Sequence, residues 1–141
     1  MRYTDCMREG LLRKTKPDLR KAQRSLEIAD QRLKEAEVSL KNGILSGSLI
    51  LSYTAMFHAA RAVLFRDGWA EKSHVCVVAY LRERYVKAGK LEQRYLSMLD
   101  ASRMERHETL YGLETEISGE DAEHMLARAK EFVAKIAEIV S

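Results

Sequence analysis

Residues 48–65 read SLILSYTAMFHAARAVLF, the most apolar stretch of this 141-residue chain. Its length would suit a helix that crosses a bilayer, but His58 and Arg61 interrupt it. Both side chains are costly at the centre of a membrane. We therefore predict a buried central helix of a soluble bundle, with no membrane as a partner.

The sequence on either side of this stretch favours further helices. One proline and seven glycines leave room for long helices, because both residues disfavour helix interiors. From residue 18 to 41 the apolar positions alternate by four and three, which is typical of a helix packed along a neighbour. These positions are Ala22, Leu26, Ala29, Leu33, Ala36 and Leu40.

The fold class that follows is all-α, an antiparallel up-and-down helical bundle of about five helices. We expect residues 1–141 to form one domain. No convincing strand is predicted. The expected helices cover about 4–13, 18–41, 46 or 48 to 66, 73–86 and 91–110, with a last helix capped by Ser118.

Charge and cysteine usage limit the possible functions only loosely. The net charge of +3 permits an anionic partner but does not demand one. Cys6 and Cys76 lack the spacing of metal ligands, so we interpret both as reduced thiols of a cytoplasmic protein. No glycine-rich phosphate loop is present in the sequence, and we expect no cofactor and no metal.

Residues 102–112, SRMERHETLYG, carry the residues best suited to chemistry. Arg103, His107 and Tyr111 follow one another at steps of four and should share one helix face. A guanidinium can hold a phosphate with paired hydrogen bonds, and an imidazole can move a proton near neutral pH. Metal-independent RNA cleavage is one interpretation. The other is a solvated face on which Glu105 and Glu108 pair with neighbouring cations.

The remaining histidines are weaker candidates. We expect His58, on the central helix, to be a hydrogen-bonded core residue. His74 falls at a helix start, and His124 should lie on the surface.

Four segments together resemble a HEPN domain of the small stand-alone prokaryotic branch. They follow in the expected order across about Leu19 to Val140: residues 52–64 (SYTAMFHAARAVL), 72–74 (KSH), 111–113 (YGL) and 127–133 (ARAKEFV).

The resemblance implies an up-and-down helical bundle that usually dimerises. It also implies a common role beside a minimal nucleotidyltransferase in toxin–antitoxin pairs. Active HEPN ribonucleases carry an arginine, four to six intervening residues and then a histidine, and two such motifs meet across the dimer. Some partner nucleotidyltransferases modify a tyrosine close to this motif.

This chain departs from that pattern. Three residues separate Arg103 from His107, and four separate Arg106 from Tyr111, so a tyrosine stands where histidine is expected. We take Arg106 to Tyr111 as the matching register. The candidate catalytic residues are Arg106 and His107, and the candidate nucleotide- or RNA-binding residues are Arg103, Arg106 and Tyr111. Tyr111 is also a candidate modification site.

We therefore predict a homodimeric partner of a minimal nucleotidyltransferase with an RNA- or nucleotide-related cleft. One alternative is a metal-independent endoribonuclease toxin. The other is a non-catalytic helical dimerisation module, in which the polar stripe merely satisfies an interface.

Overall fold

The computed structural model describes residues 1–114 and 116–141. Across these residues the predicted all-α antiparallel bundle is confirmed, with two very short strands added. In chain order the elements are α1 (Tyr3–Arg8), β1 (Leu12–Lys14), α2 (Leu19–Lys41), α3 (Leu45–Asp67), β2 (Trp69–Glu71), α4 (His74–Leu81), α5 (Gln93–Tyr111) and α6 (Gly119–Val140).

Helix α3 is the centre of the bundle, as the sequence predicts. Twelve of its 23 residues are buried, and helices α2 and α6 pack along it. Its buried alanines, among them Ala55, Ala59 and Ala62, have no exposed surface at all and let neighbouring helices approach closely. Within the described residues, α3 is long and apolar enough to cross a membrane, yet 67% of its most apolar window is buried inside the fold. That burial favours a core helix.

Gly68 ends α3 and turns the chain into β2. Its φ of +90° lies in the left-handed region, where residues with a Cβ are strained. A Cβ at this position would also lie 2.8 Å from the carbonyl oxygen of Thr15. The Asp67-Gly68 stop is therefore dictated both by backbone conformation and by close packing.

The strands and the end of the first helix correct the sequence analysis. Helix α1 ends at Arg8 rather than near Arg13, and β1 pairs antiparallel with β2, placing Leu12 opposite Glu71. Three-residue strands are too short to show a period-two pattern. The predicted fourth helix is also divided, because its last turn, Arg82–Val86, is π-helical.

The cysteine interpretation is wrong in this structure. Cys6 of α1 and Cys76 of α4 form a disulfide across a sequence separation of 70 residues. Because two lone cysteines carry no pairing signal in sequence, only the packing of α1 on α4 brings them together. Disulfides are uncommon in reducing compartments, so the cytoplasmic location stays a prediction.

A closed polar network lies at the C-terminal end of α3. We call Arg66, Asp67, Tyr80 and Tyr85 the Asp67 cluster. The hydroxyls of Tyr80 and Tyr85 donate to Asp67 Oδ2 at 2.8 and 2.5 Å. Arg66 donates to Asp67 Oδ1 at 3.2 Å and to the Tyr85 hydroxyl at 2.6 Å. Each charged group in the cluster has a partner of opposite charge, as expected for a cluster that stabilises the fold.

Candidate functional site

Helix α5 carries the motif from the core out to solvent. Tyr95 and Leu99 are buried, Arg103 is half-buried, and His107 and Tyr111 are exposed. The side chains four residues apart therefore lie along one face of α5, as predicted. This face leaves the core between Leu99, which is buried, and His107, which is exposed. The motif residues are held by a helix whose first half is anchored in the core.

Arg106 of the motif lies against Tyr53 of α3, and Arg103 acts on Tyr53 electrostatically. The guanidinium carbon of Arg106 is 5.7 Å from the centre of the Tyr53 ring, within cation–π range. Among the described residues, no carboxylate forms an ion pair with Arg106. Arg103 Nε is 3.9 Å from Asp100 Oδ1, which is too long for a hydrogen bond, and this nitrogen has no hydrogen-bond partner in the described chain. Within the described residues, Arg106 therefore has no ion pair and Arg103 has only a long one.

His74, the first residue of α4, completes this group. Its Nδ1 is 2.9 Å from the Tyr53 hydroxyl. Its ring stacks on Phe57, with 3.8 Å between ring centres and 22° between planes. The hydrogen bond and the stack together restrict the imidazole to one orientation. We call Tyr53, Phe57, His74, Arg103 and Arg106 the Tyr53–His74 cleft, a label for this group of side chains and not for a cavity.

Both titratable members of the cleft are uncharged near neutral pH, Tyr53 because of burial and His74 because of burial and nearby cations. Burial raises the pKa of Tyr53 to about 12, although Arg103 and Arg106 oppose that rise. Burial also lowers the pKa of His74 below its ordinary 6.5, and Arg106, Arg103 and Arg61 lower it further. A neutral imidazole, a neutral phenol and two guanidiniums therefore share one site.

Such a group can bind a phosphate. Two guanidiniums supply charge and paired donors, while a phenol and an imidazole supply neutral hydrogen bonds. The sequence analysis predicted the arginines but missed Tyr53, Phe57 and His74 as site residues. The available signal was the family resemblance of residues 52–64 and 72–74, which contain all three.

His107 and Tyr111 lie at the open end of the motif. Their ring centres are 5.0 Å apart, and 67% of Tyr111 is exposed to solvent. A shallow cavity of about 340 Å³ is lined by Arg103, Met104, His107 and Glu108. Arg103 therefore belongs to the Tyr53–His74 cleft and also shares this cavity with His107.

Arg128 of α6 holds this part of α5 in place. Its Nη1 donates to Ser102 Oγ at 3.1 Å and to Glu105 Oε1 at 2.9 Å. Ser102 is fully buried, so the bond also satisfies a buried hydroxyl. Glu105 is paired with a neighbouring cation, as the interpretation of a solvated face predicted. Among the described residues, no carboxylate lies within hydrogen-bond distance of Arg103 or Arg106.

The structure confirms the prediction for one of the two remaining histidines and contradicts part of the prediction for the other. His124 is exposed, as predicted. His58 is half-buried, but the expected hydrogen bond is wrong, since its Nδ1 has no hydrogen-bond partner among the described residues. The described residues also contain no group of three or more His, Cys, Asp or Glu side chains that could hold a metal ion.

The HEPN domain family matches residues 22–140, which include the whole cleft. This chain belongs to the HEPN domain family. The HEPN chain is 28% identical over 95 residues to UPF0332 protein PH1297 of Pyrococcus horikoshii, covering 67% of each chain. It is 28% identical over 111 residues to a Methanocaldococcus jannaschii protein named "Putative toxin MJ0605", covering 79% of this chain and 82% of that one. It is 27% identical over 109 residues to UPF0332 protein glr0978 of Gloeobacter violaceus, covering 77% and 86% respectively.

Proposed function

We propose that this HEPN protein is the dimeric partner of a minimal nucleotidyltransferase in a toxin–antitoxin-type system, and that its Tyr53–His74 cleft binds the phosphates of RNA or of a nucleotide. The observation that carries the proposal is the open cationic pair of Arg103 and Arg106. Arg106 lies over the ring of a neutral phenol, both cations act electrostatically on that phenol and on a neutral imidazole, and no carboxylate among the described residues pairs with Arg106. Phosphate is the anion that best suits this donor set.

A homodimer is supported by apolar side chains around the motif. Met104, Leu110 and Leu113 are all exposed near the end of α5. The central helix contributes less to this surface, because α2 and α6 pack along α3. A two-fold interface places the same patch on both subunits, so the α5 end is the surface we propose to lie near the axis. Light scattering at micromolar concentration should give twice the chain mass of 16.2 kDa.

The nucleotidyltransferase partnership is supported by the toxin name of one relative and by the exposure of Tyr111. A hydroxyl that is open to solvent can be reached by a modifying enzyme. Co-expression with a neighbouring nucleotidyltransferase should add a nucleotide to the chain, detected by intact mass, and Tyr111→Phe should remove the adduct. Tyr95→Phe is the matched control, because Tyr95 is buried on the same helix.

A metal-independent endoribonuclease is the second candidate, favoured by the cavity that Arg103 and His107 share. The ribose 2′-hydroxyl would give its proton to His107 as its oxygen attacks phosphorus, and the 5′-oxygen would leave with a proton returned by His107, which gives a 2′,3′-cyclic phosphate. His107 would transfer a proton and Arg103 or Arg106 would stabilise the charged oxygens. Cleavage should survive a chelator and fall about a hundredfold or more in His107→Ala and in Arg106→Ala. Cleavage that requires magnesium would rule this candidate out.

One experiment separates these functions. The chain is expressed alone and together with the neighbouring gene product, and growth and RNA integrity are measured. Toxicity that the neighbour relieves supports the toxin–antitoxin role, and RNA fragmentation adds the ribonuclease activity. A chain that is dimeric but harmless, unmodified and unable to bind RNA would be the non-catalytic dimerisation module.

A further inference from the structure

The motif of α5 ends in Tyr111 where the family pattern has a histidine, yet the structure brings a different histidine to the motif arginines. His74 belongs to α4, and its closest polar contact is Tyr53 of α3. Arg103 and Arg106 of α5 act on both of these side chains. Three separate helices therefore converge on one imidazole.

We propose that His74 is a direct ligand of the nucleotide phosphate in the Tyr53–His74 cleft, and that it takes up a proton when the phosphate binds. This inference rests on the proposed function of the cleft and names the residue that makes its affinity depend on pH. The ligand group is a phosphate of RNA or of a mononucleotide.

The surroundings of His74 leave one ring nitrogen able to contact a ligand. Nδ1 is engaged by the Tyr53 hydroxyl at 2.9 Å and one face of the ring is covered by Phe57, so Nε2 is the nitrogen left to contact a ligand. His74 is only half-buried, which leaves the side chain within reach of an anion. When the ring is protonated, Nδ1–H donates to the Tyr53 oxygen, and the phenol proton can turn to a second acceptor. Because Nε2–H is already a donor when the Tyr53 hydroxyl donates to Nδ1, protonation frees one further donor, the phenol O–H, for the phosphate.

The charges around His74 explain why the proton arrives with the ligand. On α3, Arg61 acts on the imidazole, although it forms an ion pair with Glu71 of β2 at 2.9 Å. On α5, Arg103 and Arg106 act on it directly. These cations and burial keep the free imidazole neutral. A phosphate placed between the arginines and the imidazole offsets their field and favours the imidazolium.

The direction of the pH effect follows from these charges. The pKa of free His74 lies below 6.5, and the bound phosphate raises it. Binding that takes up a proton becomes tighter as pH falls between about 8 and 6. A phosphodiester does not titrate in this range, whereas a phosphate monoester has a second pKa of about 6. RNA backbone is therefore the cleaner probe of the protein's own titration.

The test uses a short 2′-O-methyl oligoribonucleotide with a 5′-hydroxyl, which contains only diesters and no attacking hydroxyl. Its affinity for the full chain is measured at fixed ionic strength from pH 8 to 6, with adenosine 5′-monophosphate as a second arm that identifies a mononucleotide site. We expect the wild-type affinity to rise about fivefold or more over this range. His74→Gln should bind about tenfold more weakly at pH 6 and show a flat profile.

Three controls keep the result interpretable. His124→Gln removes an exposed histidine of α6 and should leave the profile unchanged. His107→Gln tests the motif histidine, and a profile that it flattens while His74→Gln does not would overturn the assignment. Tyr53→Phe keeps the ring but loses the hydroxyl and should weaken binding about threefold, with a shifted profile.

The double variant Arg103→Gln/Arg106→Gln separates this inference from the proposed function. If the double variant loses binding while His74→Gln keeps wild-type affinity and pH dependence, the cleft stands and the role of His74 is overturned. If the wild-type chain binds neither probe, the proposed cleft fails and the inference fails with it. Loss of binding in both variants, with the pH profile lost only in His74→Gln, is the outcome we expect.

Discussion

Two polar clusters lie along α3, and each centres on buried tyrosine hydroxyls. In the Asp67 cluster the hydroxyls of Tyr80 and Tyr85 converge on a carboxylate that an arginine neutralises. In the Tyr53–His74 cleft the hydroxyl meets a neutral imidazole, and within the described residues Arg106 has no ion pair while Arg103 has only a 3.9 Å contact with Asp100. The charges of the first network balance without a ligand, whereas the second has more hydrogen-bond donors than acceptors. Buried polar groups alone therefore do not mark a site, whereas an unbalanced set of donors does.

Removing the carboxylate should have the largest effect on stability. Asp67→Asn leaves Arg66 without its partner and two tyrosine hydroxyls competing for one amide oxygen. Breaking a largely buried charge pair costs about 3–5 kcal/mol, and the partial exposure of Asp67 reduces this to about 2–4 kcal/mol. Urea unfolding measures the loss. Asp100→Asn, at the cleft, is the matched control and should change stability by less than about 0.5 kcal/mol; equal losses in both variants would erase the distinction between the clusters.

Removing a cleft arginine should weaken ligand binding and leave stability nearly unchanged. Arg106→Gln should weaken oligoribonucleotide binding about tenfold, close to 1.4 kcal/mol, because a charged donor to phosphate is lost. Its free energy of unfolding should stay within about 0.5 kcal/mol of wild type. Arg24→Gln on α2 removes the same charge from an exposed pair with Glu27 and controls for net charge. A variant that binds as well as wild type would remove Arg106 from the site.

Alkaline pH should weaken the Asp67 cluster. Burial and the hydrogen bonds to Asp67 raise the pKa of Tyr80 and of Tyr85 above their ordinary 10. A raised pKa in the folded state gives stability that is complete below pH 10 and is lost as pH rises through the folded pKa. The free energy of unfolding should therefore fall above pH 10. Asp67→Asn should flatten this dependence more than Tyr53→Phe, and urea titrations from pH 8 to 11 measure the difference.

Mild acid should have the smallest effect, and it acts on the cleft. Burial and nearby arginines lower the pKa of His74 below 6.5. A lowered pKa gives stability that is present above pH 6.5 and is lost as pH falls through the folded value. Thermal unfolding of the free protein should shift to lower temperature between pH 7.5 and 5.5. His58 has a lowered pKa for similar reasons, so His74→Gln should remove only part of the shift, while His124→Gln should remove none.

Much of the fold could be predicted because its signals are local. The alternating four and three spacing of α2 predicted the buried faces of Ala22, Ala29 and Ala36. The cap at Ser118 and the stop at Gly68 act within a few residues of themselves. The β1–β2 pair and the Cys6–Cys76 bridge could not be predicted, because each joins segments far apart in the chain and neither leaves a periodic trace.

The candidate site follows the same rule. Arg103, His107 and Tyr111 share one helix, so their common stripe could be predicted from spacing alone. The contact between Tyr53 and His74 depends on how α4 packs against α3, which no pattern in either segment specifies. The sequence pattern also predicts that Tyr53 is a core residue, because it falls on the apolar face of α3. Only its hydroxyl partner distinguishes it from the surrounding core.

A two-dimensional NMR titration of the protein with the same 2′-O-methyl oligoribonucleotide tests the proposed phosphate site most directly. The imidazole signals of His74 and the guanidinium signals of Arg103 and Arg106 should move in step with ligand concentration. The signals of Tyr80 and Tyr85 in the Asp67 cluster should stay in place. Saturable binding that moves neither His74 nor the two arginines, or that moves the Asp67 cluster instead, would contradict the assignment of the open cluster as the phosphate-binding cleft.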